Sequence, residues 1–221
     1  MDYFHYITPD VVLRAYQMGL FPMAQTRDDP QFYWVQPTWR GILPLEQFHV
    51  PRSLKKTWYR GGFDIRINTD FRSVIRGCAA VNERRQDSWI NSSILEVFTE
   101  LHELGYAHSV ECWHDGDNLV GGLYGLSIGG AFFGESMFSR AADASKLCLL
   151  DLVLRLKYSG YTLLDTQFVN EHIKRFGAVE IPKAIHQRLL ERALNTSANF
   201  HYGALPPAFV DGFLQAKSQT S

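Results

Sequence analysis

The run AHSVECWHDGDNLVGGLYGLSIGGAFFGESMFSRAADASKLCLLDLVLRLKYSGYTLLDTQF, residues 107–168, decides the fold. Its first three segments, AHSVECW (107–113), NLVGGLYGLS (118–127) and GGAFFGESMFS (129–139), read as strands. Turns at DGD and at Gly129 and Gly130 join them, which predicts an antiparallel meander. ASKLCLLDLVLRLKYSG (144–160) then predicts a long helix ending at Gly160, and YTLLDTQF (161–168) a further strand.

Upstream, ITPDVVLRAYQMG carries a helix start, with Thr8 as cap, Pro9 at the first helical position, Asp10 complementing the dipole and Gly19 closing the element. QFYWVQPTWRGILPL (31–45) reads as irregular chain or short strands, and FDIRI (63–67) alternates as a strand does. TDFRSVIRGCAA (69–80) and NSSILEVFTELHELG (91–105) read as amphipathic helices, and NEHIKRFGA (170–178) and IPKAIHQRLLERAL (181–194) as the last helices. The stretch after Leu205 is polar with scattered apolar residues and reads as an arm or partly disordered tail. The expected class is a mixed α/β domain with a mostly antiparallel sheet and helices, spanning 61–205, with a small N-terminal subdomain over 1–60 and a tail over 206–221. That order resembles the acyltransferase fold of the N-acetyltransferase (GNAT-like) superfamily, though fold alone does not settle function.

Composition narrows the class. The 221 residues are 46% hydrophobic and 20% charged, ordinary for a globular protein, and the formal net charge is −1. There is no global positive field, so any RNA contact has to come from a local basic patch. Cys78, Cys112 and Cys148 are odd in number and widely spaced, which fits a reducing compartment better than a disulfide framework or a zinc site. No secretory signal and no apolar run of ~18 residues is visible, so the expected location is cytoplasmic.

Several motifs carry chemistry, each with a structural alternative. HELGYAH (102–108) lacks the i, i+4 histidine pair of a zinc protease, since position 106 is Tyr, and reads as a solvated helix end. An acetyl-CoA enzyme needs a glycine-rich turn against the pyrophosphate. The passage SRAADASK (139–146) has no glycine, which disfavours that cofactor. Its Ser139, Arg140, Ser145 and Lys146 suit a single phosphate or an RNA end equally with plain helix capping by Asp143 and Ser145.

In GESMFSR, strand alternation puts Glu135, Met137 and Ser139 on one side and Ser136 and Phe138 on the other. A buried Glu135 needs either a ligand or a salt bridge, for which Arg140 is the nearest choice. Asp165 and Gln167 in LLDTQFVNEH lie two apart and face one way at a strand end. Asn170 follows as a helix cap or a site residue. Among the aromatics, which include Tyr16 and Phe21, Trp89 in the polar context QDSWINSS is the one placed to stack on a base. Arg52, Lys55, Lys56 and Arg60 form a basic cluster that grips phosphates or is simply solvated.

The blocks AYQMGLFPMA, RGILPLEQFHVPRSLKK, SWIN, ELHELGYAHSVECW, VGGLYG, GESMFSR, ASK, LLDTQFVNEH and FGAVEIP, from about Ile7 to Pro182, resemble leucyl/phenylalanyl-tRNA–protein transferases in order and register. The resemblance implies transfer of leucine, less efficiently phenylalanine or methionine, from charged tRNA to proteins beginning with Arg or Lys, marking them for degradation. It implies Asp165 and Gln167 as the catalytic pair, with Glu135 and Trp89 at the substrate, Trp89 near the terminal adenosine. Met137, Leu123 and Leu149 fall where the family builds its apolar pocket, and Met23, Tyr16, Ser139 and Asn170 are expected around it. Arg52, Lys55, Lys56, Arg60 and Lys146 are expected to face tRNA. Met23 stands where the family often has tryptophan and Phe98 where some members have tyrosine, which bears on pocket shape.

The donor ester is already activated, so no cofactor or metal is expected, and the protein is expected to act as a monomer. With an acceptor amine of pKa roughly 7.7–8.0, positioning matters more than deprotonation. Gln167 is expected to orient the amine and Asp165 to orient Gln167, while the tRNA's own hydroxyl helps move the proton. Two other readings stay open on the residues alone: an acetyl-CoA-dependent N-acetyltransferase and a non-catalytic tRNA-binding module.

Overall fold

The computed structural model describes residues 7–81 and 86–216. Helix α1 (Pro9–Gln17) starts as expected, with Thr8 Oγ1 accepting from Val11 N. Strands β1 (Phe21–Met23) and β2 (Tyr33–Val35) pair with each other in a two-stranded antiparallel sheet. Strand β3 (Trp39–Ile42) instead enters the main sheet, so residues 39–42 belong to it although they lie within the first sixty. Helix α2 (Arg52–Arg60), strand β4 (Asp64–Ile67), helix α3 (Phe71–Ala79) and helix α4 (Ser92–Glu103) follow. Asp70 and Asn91 cap the last two with side-chain oxygens.

The meander forms as predicted from β5 (Ala107–His114), β6 (Asn118–Ile128) and β7 (Ala131–Ser139). Helix α5 (Ala144–Tyr158) leads to β8 (Leu163–Gln167), which lies parallel to β7. A parallel pair needs a crossover, and α5 supplies it. The seven-stranded order is β4-β5-β6-β7-β8-β3-β9, where β9 is Val179–Pro182, and every neighbour except β7–β8 is antiparallel. The mixed, mostly antiparallel α/β class is therefore observed.

Each face of the sheet has a core. One gathers Leu43, Leu123, Leu149, Leu152 and Leu164 with α5; the other gathers Tyr16, Phe21, Phe98, Tyr124 and Phe133 under α1, α3 and α4. Helix α5 is buried nearly all round, which is why its apolar residues show little amphipathic bias. Its two buried charges, Asp151 and Arg155, pair with each other at 2.5 Å. Arg155 also donates to the carbonyls of His201 and Gly203.

Three local expectations change. The segment from Asn170 folds into only a four-residue helix, α6 (Glu171–Lys174), and β9 forms where the last helix was expected to begin, so α7 runs Lys183–Leu194. Much of the tail is not an arm. Pro207–Ala216 form helix α8, and Phe213 and Leu214 bury against α5 because the core there would otherwise expose its flank. The remainder of that tail, 217–221, lies outside the described residues.

Candidate active site

Strands β7 and β8 stay paired only as far as Phe133 and Asp165. Beyond that point β7 continues beside β6, while β8 continues beside β3 through Gly41 opposite Gln167. The divergence opens a cavity of about 370 Å³, inside the roughly 300–1,000 Å³ range of small-molecule sites. Leu123, Met137, Leu149, Leu152, Leu164 and Ile173 give it an aliphatic wall from one core. Phe21, Met23, Trp89 and Tyr124 give it an aromatic and sulfur wall from the other. Glu135, Ser136, Thr166, Gln167 and Asn170 supply polar groups between them.

The alternation expected for GESMFSR fails at Glu135. Tyr124 pairs with Ser136 and Gly125 with Gly134, so Glu135 is the extra residue of a bulge. The bulge inverts the phase. Phe133 and Phe138 both join the core under α1, α3 and α4, while Met137 packs into the other one, so Glu135 and Met137 do not share a side. Arg140 is not the partner of Glu135 either. Its guanidinium lies over Phe138 at 5.1 Å and donates to the carbonyl of Leu119. Glu135 instead accepts from the buried Tyr16 hydroxyl at 2.8 Å, so Tyr16 reaches the site from behind rather than lining it.

Burial, chiefly, pushes the Glu135 carboxyl up to about 8, against the lowering effect of the Tyr16 hydrogen bond. The same burial, then the neighbouring Glu135, raises Tyr16 well above the usual phenol range. The hydrogen bonds available decide how the Gln167 carboxamide is turned. With nitrogen towards Glu135 it donates to Oε1 at 3.3 Å. Turned over, it donates to the carbonyls of Gly134 and Thr166 at 2.9 and 3.1 Å. The turned form makes two bonds in place of one and leaves its oxygen facing a carboxyl that is mostly protonated near pH 7.

Asp165 is fully buried and does not line the cavity. Its Oδ1 accepts from Arg40 Nε at 2.9 Å and from the backbone N–H of Gln167 at 2.8 Å. Its Oδ2 accepts from Arg40 Nε at 3.0 Å and pairs with His186 Nε2 at 2.7 Å. Burial alone would raise its pKa; the Arg40 charge and the hydrogen bonds from His186 and Arg40 outweigh that and hold it below the usual carboxylate range. Asp165 and Gln167 therefore do not share a face in the expected way. Gln167 takes φ 56°, a left-handed conformation costing a non-glycine residue roughly 1–2 kcal/mol, and that turn swings its side chain to the cavity. Gly41 makes room for it. A Cβ there would lie 2.6 Å from the Phe168 carbonyl carbon.

Arg40 and His186 were not singled out from the sequence. His186 had a signal, since it precedes the buried Leu190 and Ala193 by four and seven on the inner face of α7. Arg40 had none, because nothing in RGILPL says that the arginine points inward.

The expected phosphate-facing residues do not gather at the cavity. Ser139 Oγ accepts from Ser145 N at 3.2 Å and so takes over the helix-capping role. Asp143 sits in a left-handed conformation at the start of α5 without capping it, and pairs with Lys146 at 2.7 Å. On α2, Arg52, Lys56 and Arg60 are exposed, whereas Lys55 donates to the carbonyl of Leu214 in α8. Asn170 both lines the cavity and caps α6, accepting from His172 N and Ile173 N. The two HELGYAH histidines have structural places: His102 stacks on Phe71 at 4.4 Å and His108 on Phe200 at 4.5 Å.

The sequence model of the leucyl/phenylalanyl-tRNA protein transferase family matches residues 42–191, and that of the family's N-terminal domain matches residues 6–38. The chain is 56% identical over 198 residues to the leucyl/phenylalanyl-tRNA–protein transferase of Paramagnetospirillum magneticum, covering 90% of this chain and 94% of that protein. It is 54% identical over 200 residues to the protein of that name from Rhodopseudomonas palustris, covering 90% and 88%. Among solved structures, L-PGS from Bacillus licheniformis matches at a TM-score of 0.40 with 11% identity, over 93% of this chain but only 62% of that one.

Proposed function

The chain belongs to the leucyl/phenylalanyl-tRNA–protein transferase family, a family of aminoacyltransferases, and from that premise we propose that it moves leucine from charged tRNA to the α-amine of proteins beginning with Arg or Lys. Phenylalanine and methionine are poorer donors, and the product is marked for degradation in the cytoplasm. The observation that carries this reading is a cavity that joins an aliphatic wall to a polar group of Glu135, Gln167 and Asn170 beside Trp89. Such a cavity suits an aliphatic side chain, its ester and a stacked adenosine at once. The N-acetyltransferase-like arrangement is the finer reading of the fold. The antiparallel β4 to β7, the α5 crossover and the diverging parallel β8 are in keeping with it.

The ester is the activated bond, so the protein's task is to hold the amine in line and stabilise the oxyanion. The amine nitrogen attacks the ester carbonyl carbon, the bond to the tRNA ribose oxygen breaks, and the proton leaving the amine passes to that oxygen. Gln167 is at the cavity and orients the amine; Asp165 never reaches the substrate and acts through Gln167. A neutral carboxamide is a poor proton acceptor, so the tRNA hydroxyl carries the proton. Leu123, Met137 and Leu149 hold the leucine side chain, Met23 and Trp89 flank the adenosine, and the exposed Arg52, Lys56 and Arg60 meet the tRNA backbone. A cationic acceptor side chain pairs with Glu135 in its ionised form, and its charge favours release of the carboxyl proton to solvent from a group held at about 8.

The test is incubation of the protein with radiolabelled leucyl-tRNA and an Arg-starting peptide. Label should reach the peptide; retention of all label on tRNA overturns the reading.

A further inference from the structure

We propose that Arg40 and His186 are positioning residues for the transfer reaction: together they hold the Asp165 carboxylate, and through it the left-handed backbone of Gln167, in the wall of the cavity. The inference rests on the reading above and adds two residues that neither the motifs nor the cavity lining reveals.

Three partners hold the Asp165 carboxylate. Both charges of the ion pair are buried, Arg40 at 2% and Asp165 at 0% exposure, and His186 is at 2%. Arg40 Nε forks across both carboxylate oxygens at 2.9 and 3.0 Å, His186 Nε2 takes Oδ2 at 2.7 Å, and the Gln167 N–H takes Oδ1 at 2.8 Å. The carboxylate therefore cannot rotate without losing several bonds at once. That rigidity passes to residue 167, whose φ of 56° is strained for a side chain larger than glycine and needs an external hold.

Arg40 does more than His186. Its Nη1 donates to the carbonyl of Gly19 at 3.0 Å, and its guanidinium lies 4.6 Å from the centre of the Phe21 ring. Phe21 is part of the cavity wall. Arg40 thus ties the aromatic wall to the strand end that carries Gln167, whereas His186, on α7, stands behind Asp165 and outside the cavity lining. The two residues should consequently fail in different ways. Loss of His186 disturbs only the placing of Gln167, and loss of Arg40 disturbs that placing and the wall together.

The experiment compares the full chain with His186→Leu, His186→Gln, Arg40→Lys and Asp165→Asn. It measures kcat, the KM for leucyl-tRNA, and thermal unfolding. His186→Leu should lower kcat about tenfold or more, since small misplacements of reacting groups carry costs of that size. Its KM for leucyl-tRNA should stay within about twofold of wild type. His186→Gln, whose amide still donates to Asp165, should recover most of the lost rate. Arg40→Lys keeps the charge but cannot hold Asp165, the Gly19 carbonyl and the Phe21 ring together, so kcat should fall and KM should rise. Placing His186→Leu on Asp165→Asn should cost little beyond Asp165→Asn alone.

A folded His186→Leu protein with wild-type kcat overturns the proposal, as does a His186→Gln protein as slow as His186→Leu. If His186→Leu does not fold, Arg40→Lys decides: a wild-type kcat overturns the proposal, and a lowered kcat with a raised KM supports it. A wild-type chain that transfers nothing instead overturns the functional reading itself, which keeps the two failures apart.

Discussion

The backbone N–H of Gln167 donates to the carboxylate of Asp165, two residues earlier in the same strand, at 2.8 Å. The bond forms because Gln167 turns left-handed at the strand end. It converts a buried ion pair into a hold on a group at the cavity. In the proposal above Asp165 has two duties, one in stability and one in placement, and the variants below separate them.

Asp165→Ala should destabilise the fold by about 3–5 kcal/mol, because it leaves the Arg40 charge buried without its partner. Gln167→Gly should be at least as stable as Gln167→Ala, by roughly 1 kcal/mol, since only glycine takes a positive φ freely. Both should lose transfer activity, but only Asp165→Ala should lose the fold's stability. Denaturant titration with a parallel activity assay checks this.

Glu135 makes stability depend on pH. Its carboxyl titrates at about 8 in the folded chain, above its ordinary value of 4.5. The folded state therefore binds more protons than the unfolded one between those limits. This group's effect is absent below the unfolded pKa; stability falls as pH rises through the interval and levels off above about 8. Glu135→Gln should keep the Tyr16 hydroxyl partnered, flatten that decline and raise the Tm at pH 8 relative to wild type. Thermal melts from pH 5 to pH 9 provide the measurement, and an unchanged slope would count against the buried acid.

The aliphatic wall should set donor preference. Leu123→Ala deepens the pocket and should favour phenylalanyl-tRNA over leucyl-tRNA by a change in kcat/KM worth about 1–3 kcal/mol, the usual scale for a methylene or two. Leu149→Phe fills the same space and should disfavour both donors, phenylalanine more. Competition between the two charged tRNAs reads the ratio directly.

The pair inside α5 is structural. Asp151 and Arg155 are each about 5% exposed and lie outside the cavity that holds Gln167. Arg155→Met should cost about 3–5 kcal/mol by stranding the aspartate and freeing two backbone carbonyls, with little change in kcat of the protein that remains folded. A selective loss of kcat at full stability would contradict this assignment.

Removing residues 206–221 should also destabilise the chain, since Phe213 and Leu214 bury against α5 and Lys55 bonds the Leu214 carbonyl. Burial of two such side chains is worth roughly 3–6 kcal/mol before chain entropy is counted. Comparing the melting of the truncated and full chains tests whether α8 is integral to the domain.

Local chemistry was enough for much of the architecture. Thr8 and Pro9 specify where α1 begins, Gly105 and Gly160 where helices stop, and alternation through residues 107–139 specifies the meander. These signals act over a few residues, so they are written in the sequence. Of the aliphatic wall, Leu123, Met137 and Leu149 were expected from the family resemblance, whereas Leu152, Leu164 and Ile173 join them only in the fold. What local pattern misjudged was short or cooperative. β9 exists only because β3 offers it an edge, and α8 exists only because α5 needs cover.

The site divides in the same way. Glu135, Asp165 and Gln167 were visible as polar residues in apolar strands. Their relations were not, because one bulge at Glu135 and one positive φ at Gln167 each turn a side chain from one face to the other. Arg40 meets Asp165 across 125 positions of sequence and His186 meets it across 21. No periodicity links partners so separated. The sequence by itself determined that acids and an amide would stand in apolar strands; only the packing of β3 and α7 against β8 decided that Asp165 stands behind the cavity and Gln167 lines it.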